Sequence, residues 1–169
     1  MLPRWVAVTG DCIVDGSSTF VYKVFKPNNL EVIRVVDTAT GKTTEFQVPS
    51  KARNPALMKL GIVVPCTDGT ILIYSLDGSE TFRQLIPSTT ILSSVRISEH
   101  EFAILGSWWL EEKKDFELSV KVVRLTGTKM AVKTLGTVPH PGLLVSPDER
   151  TLWWLRDTDS RHFDLTPSN

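Results

Sequence analysis

The stretch "EVIRVVDTATGKTTEFQVP", Glu31 to Pro49, carries the strongest fold signal in the chain. An apolar, β-branched run leads into a polar turn with one glycine, then a second short run, then proline. Val, Ile, Thr and aromatic side chains suit a pleated strand, and a glycine in the turn accepts the positive φ that a tight reversal needs. The reading is therefore a hairpin that stops at proline. The same form returns in "TILIYSLDGSETFRQLIP" (Thr70–Pro87) and in "LSVKVVRLTGTKMAVKTLGTVP" (Leu118–Pro139). The turn glycines, Gly41, Gly78 and Gly127, are 37 and 49 residues apart. A period of about 40–45 residues with four strands per unit is the signature of propeller blades. The charged stretch Leu110–Glu117 would lengthen the third unit.

Outside these hairpins the pattern stays the same. Short runs ended by Gly, Pro, Asp or Asn predict strands near Trp5–Val8, Phe20–Phe25, Gly61–Pro65, Leu92–Ile97, Phe102–Ser107, Leu143–Ser146, Leu152–Leu155 and Phe163–Leu165. Only "SKARNPALMKL" (Ser50–Leu60) has room for a turn of helix, and Pro55 limits it. Runs such as "GIVVP" and "TLWWL" are apolar at consecutive positions. A sheet with one wet face would alternate, so these strands are expected to be covered on both faces. Trp153 and Trp154 then point to opposite sides of one strand. The expected fold is all-β and propeller-like, with about four blades of four antiparallel strands. A partial propeller or a β-sandwich is the alternative.

"GLLVSPDERTLWWLRDTDSRHFDL" (Gly142–Leu165) resembles the blade signature of TolB-type and related WD-like β-propellers. Those blades run strand, Ser-Pro-Asp-Gly, basic residue, aromatic-rich strand, polar turn and strand. Ser146, Pro147, Asp148, Arg150 and Thr151 match, and Glu149 stands where the family has glycine. "VRISEHEFAILGSWW" (Val95–Trp109) is a looser copy with Ser98–Glu101 as its turn. The resemblance implies the fold; it implies no particular activity, since propellers host many unrelated functions.

Composition excludes several classes of partner. Hydrophobic residues at 41% and charged residues at 22% indicate a globular chain able to bury a core. Nineteen basic residues balance nineteen acidic ones, so there is no general attraction to nucleic acid or an anionic membrane. Cys12 and Cys66 show no CxxC or Cys/His pattern and are expected to be reduced thiols. The apolar run Trp5–Val8 is too short for a signal peptide or a membrane span, so the expected location is cytoplasmic.

No catalytic or cofactor motif survives inspection. Gly41-Lys42-Thr43 is the tail of a phosphate loop, but Val36 stands where the first glycine belongs and a strand follows where a helix should. His100, His140 and His162 sit in separate turns without ligand spacing. Asp157 and Asp159 lack the further oxygens and the glycine of a calcium loop. No Gly-x-Ser-x-Gly elbow occurs, and Asp15, Asp68 and Asp148 are turn acids of a kind common in β proteins.

The expectation is accordingly no cofactor, no metal and no catalytic set. The chain reads as a protein-binding or scaffolding module, and the alternative is an enzyme or lectin site built from blade loops at the propeller mouth. Candidate partner-binding residues are Trp108 and Trp109, beside the charged loop, and His140, held between prolines in "VPHPG". An incomplete ring would allow self-association. A closed one would need the N-terminal strand to complete the last blade and hide its edge.

Overall fold

The computed structural model describes residues 18–27 and 30–165. The strand expected at Trp5–Val8, with its proposed closing role, lies outside these residues, as do Cys12 and Asp15. Within them the chain is all-β, with no α-helix. Four antiparallel sheets follow one another in chain order, each with its strands side by side in sequence order.

The first sheet comprises β1 (Thr19–Lys26), β2 (Leu30–Asp37) and β3 (Thr43–Gln47). The second comprises β4 (Ala56–Met58), β5 (Gly61–Pro65), β6 (Thr70–Tyr74) and β7 (Glu80–Leu85). The third comprises β8 (Thr89–Arg96), β9 (Glu101–Leu110), β10 (Asp115–Thr126) and β11 (Lys129–Thr137). The fourth comprises β12 (Leu143–Val145), β13 (Thr151–Arg156) and β14 (Asp159–Asp164). The expected four strands per sheet are thus present in the two middle sheets, and three are described in each outer one.

The segment read as a possible helical turn, Ser50–Leu60, holds no helix: a turn at Ser50-Lys51 leads into a chain that follows the second sheet. Ala52 bridges to Cys66, and Ala56, Leu57 and Met58 pair with β5. Ala52, Ala56 and Met58 are buried, which needs an extended chain along the second sheet; Pro55 could not have donated to a helical ladder in any case.

Three cores join the sheets in series. Val21, Ile33 and Val35 of the first sheet pack on Ile62, Val64, Leu72 and Tyr74 of the second. The opposite face of the second sheet, Val63, Ile71 and Ile73, packs on Phe102, Ile104, Val123 and Leu125 of the third. The third sheet's other face, Ala103, Leu105, Val120 and Val122, packs on Leu144, Leu152 and Trp154 of the fourth. Successive residues on a strand point to opposite faces, so the unbroken apolar runs supply both neighbours at once. Each such side chain contributes about 1.5–3 kcal/mol by leaving water.

The sequence repeat has a structural counterpart. Gly41, Gly78 and Gly127 all have positive φ and lie in the outermost hairpin turns: β2–β3, β6–β7 and β10–β11. Each outer strand leaves through a buried β-branched residue and an exposed proline: Val48-Pro49, Ile86-Pro87 and Val138-Pro139. Val48, Ile86 and Val138 each donate a backbone N–H to their own sheet region, at Glu31, Gly69 and Leu118. Each enters a different inter-sheet core. Apolar burial pins the exit, and the proline, lacking an N–H, ends the ladder.

Candidate functional site

Both tryptophan doublets split across their strands. Trp108 is 8% exposed and belongs to the core between the second and third sheets, whereas Trp109 is 42% exposed on the opposite face. Trp154 is fully buried between the third and fourth sheets, and Trp153 is 37% exposed on the outer face of the fourth. The sequence places Trp153 and Trp154 in two successive interfaces. Their opposite orientation holds, but no described sheet covers the Trp153 side.

Each buried ring lies on a glycine. A Cβ at Gly106 would come within 2.7 Å of the Trp108 ring, and one at Gly142 within 2.3 Å of Trp154 Nε1. Lys121 caps Trp108 with its ammonium 3.5 Å from the ring centroid, and partial burial pulls the lysine pKa below its ordinary value. Trp108 is therefore a packing residue, and of the doublet only Trp109 offers a surface.

Trp109 is not alone. β9 and β10 continue past the ends of their neighbours: β8 reaches Trp108 and β11 reaches only Ser119 in their pairing. The projecting ribbon pairs Trp109 with Phe116 and Leu110 with Asp115 around the four-residue turn Glu111–Lys114. Lys114 takes φ 48° there. The rings of Trp109 and Phe116 meet edge to face, with centroids 5.0 Å apart, and Phe116 is 61% exposed. The Trp109 indole N–H donates to the Glu111 carboxylate. Aromatic cross-strand pairing extends the ladder through residues that composition marks as loop. Leu110–Glu117, read from sequence as a charged hairpin tip, is one: Glu111–Lys114 form its turn, and the strands reach further toward it than expected, to Leu110 and Asp115. The signal available in "WWLEEKKDFE" was the near-symmetric placing of Trp109 and Phe116 about the charges.

The tip adjoins the connection from β11 to β12, which carries the third candidate. A groove of about 310 Å³ is lined by Leu110, Phe116, Leu118, Val138 and Pro139, among others, and exposed His140 follows directly. Trp109 and Phe116 thus stand at the same end of the third sheet as the β11–β12 connection that carries His140. Trp109, Leu118 and Val120 share one face of the third sheet, so the rim continues the core that this sheet forms with the fourth.

Several other polar groups hold turns and strands in place. Asp148 Oδ1 accepts from the N–H groups of Arg150 and Thr151 and from Thr151 Oγ1, and these bonds hold its carboxyl below the usual range. Ser98 Oγ accepts from the N–H groups of His100 and Glu101 at the corresponding turn of the third sheet. Buried Lys23 reaches from β1 to the Ala52 carbonyl and Glu31, tying the first sheet to the chain entering the second. Cys66 is a buried free thiol, and desolvation pushes its pKa up to about 11.

The Gly41-Lys42-Thr43 turn leads into extended β3, as a hairpin and unlike a phosphate loop. Among the described residues no group of three or more His, Cys, Asp or Glu converges in metal-binding fashion. A cleft of about 170 Å³ opens where β4, β8 and β12 approach one another. It is lined by Asn54, Pro55, Ser94, Val95, Arg96 and Leu143, with Phe102 and Leu144 at its wall. No described helix is long and apolar enough to cross a membrane. Neither a family model nor a curated protein matches the chain.

Proposed function

We propose that the four sheets are blades of a β-propeller-like fold and that the chain is a non-catalytic module that binds or scaffolds a protein partner. Support for the fold reading comes from the serial stacking through three cores, the repeated outer hairpin, and the approach of the first strands β4, β8 and β12 to one another. The partner reading rests on one observation: the exposed Trp109–Phe116 pair at a projecting hairpin, beside a groove lined by Phe116, Val138 and Pro139. Large, stiff aromatic surfaces lose little entropy when covered, and a charged surround gives a polar rim to such a patch. The alternative enzyme or lectin site would sit in the cleft at Asn54, Ser94 and Arg96, whose lining, among the described residues, offers polar groups for a ligand but no carboxylate or histidine for hydrolytic chemistry.

The test is capture from an extract of the source cell under mild cross-linking, with the parent and a Trp109→Ser/Phe116→Ser variant. Both residues are exposed and their pairing is worth about 0.5–1.5 kcal/mol, so the variant should stay folded with a melting temperature only a few degrees below the parent's. Loss of an aromatic anchor costs about 2 kcal/mol or more, so recovery of the true partner should fall at least tenfold. Equal recovery of every captured protein would sink the rim as the binding surface.

A further inference from the structure

The rim at Trp109 has a charge of its own. From Leu110 to Glu117 the carboxylates of Glu111, Glu112, Asp115 and Glu117 stand against the ammonium groups of Lys113 and Lys114, in a chain that is neutral as a whole. Among the described residues none of the six forms an ion pair, so the negative excess is not cancelled locally. Glu111, Glu112 and Asp115 are exposed, and Glu117 is half-buried.

Three of these carboxylates adjoin the exposed aromatic pair. The Trp109 indole N–H donates to Glu111, which fixes negative charge at the edge of an open ring. Asp115 and Glu117 line the groove together with Phe116, Leu118, Val138 and Pro139; among the described residues, Lys113 is the only cation there. An aromatic face with a carboxylate at its margin suits a guanidinium. The cation lies over the ring, where the π-cloud is negative, and its N–H groups reach the carboxylate. The guanidinium is also more weakly hydrated than an ammonium group, so covering it costs less. The chain makes a contact of this kind internally, with Lys121 over Trp108. An anionic membrane surface, a second class of ligand for aromatics at a hairpin tip, would be repelled by the same carboxylates.

Resting on the reading of this rim as the partner surface, we propose that it selects a basic segment of the partner protein, with an arginine side chain over Trp109 and an adjacent apolar side chain in the groove at Phe116. The arginine pairs with Glu111. Asp115 and Glu117 attract further basic residues and repel acidic ones, which gives the rim its specificity. The attraction is between exposed charges, so it weakens as salt is added.

The test follows the Trp109 indole and Phe116 ring signals of the full chain by NMR as acetyl-Gly-Arg-Leu-Arg-Gly-amide is added, with acetyl-Gly-Glu-Leu-Glu-Gly-amide as the control. The basic peptide should give saturable shifts at both residues at millimolar concentration, and the acidic one should bind about tenfold more weakly. A Glu111→Gln/Asp115→Asn/Glu117→Gln variant keeps the side-chain shapes and the aromatic pair. It should bind the basic peptide about fivefold more weakly and with little salt dependence. The proposal is overturned if the basic peptide gives no saturable shift, if the two peptides bind alike, or if the neutralised variant binds as the parent does. Vesicles of phosphatidylcholine and phosphatidylserine that shift the same signals would assign the rim to a membrane and overturn it too. So would shielding of both rings from a soluble paramagnetic probe in the peptide-free chain, because a segment of this chain or a second copy would then occupy the rim. The two readings fail separately. A captured partner that is lost with Trp109→Ser/Phe116→Ser but kept by the neutralised variant leaves the rim as the interface and overturns its cationic chemistry.

Discussion

At the scale of single residues, neighbours in sequence have opposite duties. Trp154 is enclosed by the third-sheet core and lies on Gly142, while Trp153, one position earlier, stacks on His162 with ring centroids 5.3 Å apart at the surface. Truncating a buried tryptophan removes its transfer energy and leaves a cavity, so Trp154→Ala should cost about 3–5 kcal/mol. Trp153→Ala should cost under about 1 kcal/mol, as surface changes do. Gly142→Ala should cost about 1–3 kcal/mol, because its methyl group would meet both the indole and the Leu155 carbonyl. Urea unfolding of the three variants measures this order, and a Trp153→Ala loss matching that of Trp154→Ala would contradict the assigned burial. Trp154 Nε1 finds no hydrogen-bond partner among the described residues. That is a cost of about 1–3 kcal/mol which the fit of the ring must outweigh.

Among the elements, the hairpin turns share the pH dependence with the strand ion pairs of Glu45 and Glu80, whose carboxyls Lys26, Arg34 and Arg83 also hold below the ordinary value. Asp37, Asp68, Asp77 and Asp148 each accept backbone or hydroxyl hydrogen bonds in a turn, and each titrates below its ordinary value. Asp77 is the extreme case, brought down to about 2 by the Ser75 hydroxyl and then by the Ser79 N–H. A depressed folded pKa means that the contribution is present above the unfolded value and is lost as pH falls through the folded one. The melting temperature should therefore decline between about pH 4 and pH 2, and Asp77→Asn should flatten that decline. An unchanged slope in the variant would remove the turn carboxylate as its cause. These turns were legible in sequence, since Asp-Gly, Thr-Gly and Ser-Pro-Asp act on residues a few positions away. The length of the β9–β10 ribbon was not. It depends on Trp109 meeting Phe116 across a turn, and a charge count over Leu110–Glu117 has no knowledge of register.

For the whole molecule, serial stacking predicts a gradient of stability. The second and third sheets are covered on both faces, and the first and fourth contribute to one core each. Sheets that contact mainly their sequence neighbours behave as a one-dimensional array, whose ends open at lower cost than its middle. Amides of β5, β6, β9 and β10 should exchange most slowly, and those of β3 and β14 fastest. A uniform exchange rate across the four sheets would show instead that they open as one unit. The fourth sheet's outer face fits this gradient, with Leu143 60% exposed beside Trp153 and Leu155.

The strand class, the hairpin glycines and the valine- or isoleucine-proline exits follow from local chemistry. Backbone sterics, β-branching and the missing proline N–H act within a few residues, so a linear reading captures them. Which tryptophan of each pair is buried, the partnership of Trp109 with Phe116, and the groove beside Phe116 arise between segments distant in sequence. They depend on which sheet face meets a neighbour and where the neighbouring strands end. In a chain whose strands are apolar on both sides, residue pattern cannot distinguish a covered face from an open one; the number and placement of stacked sheets makes that distinction.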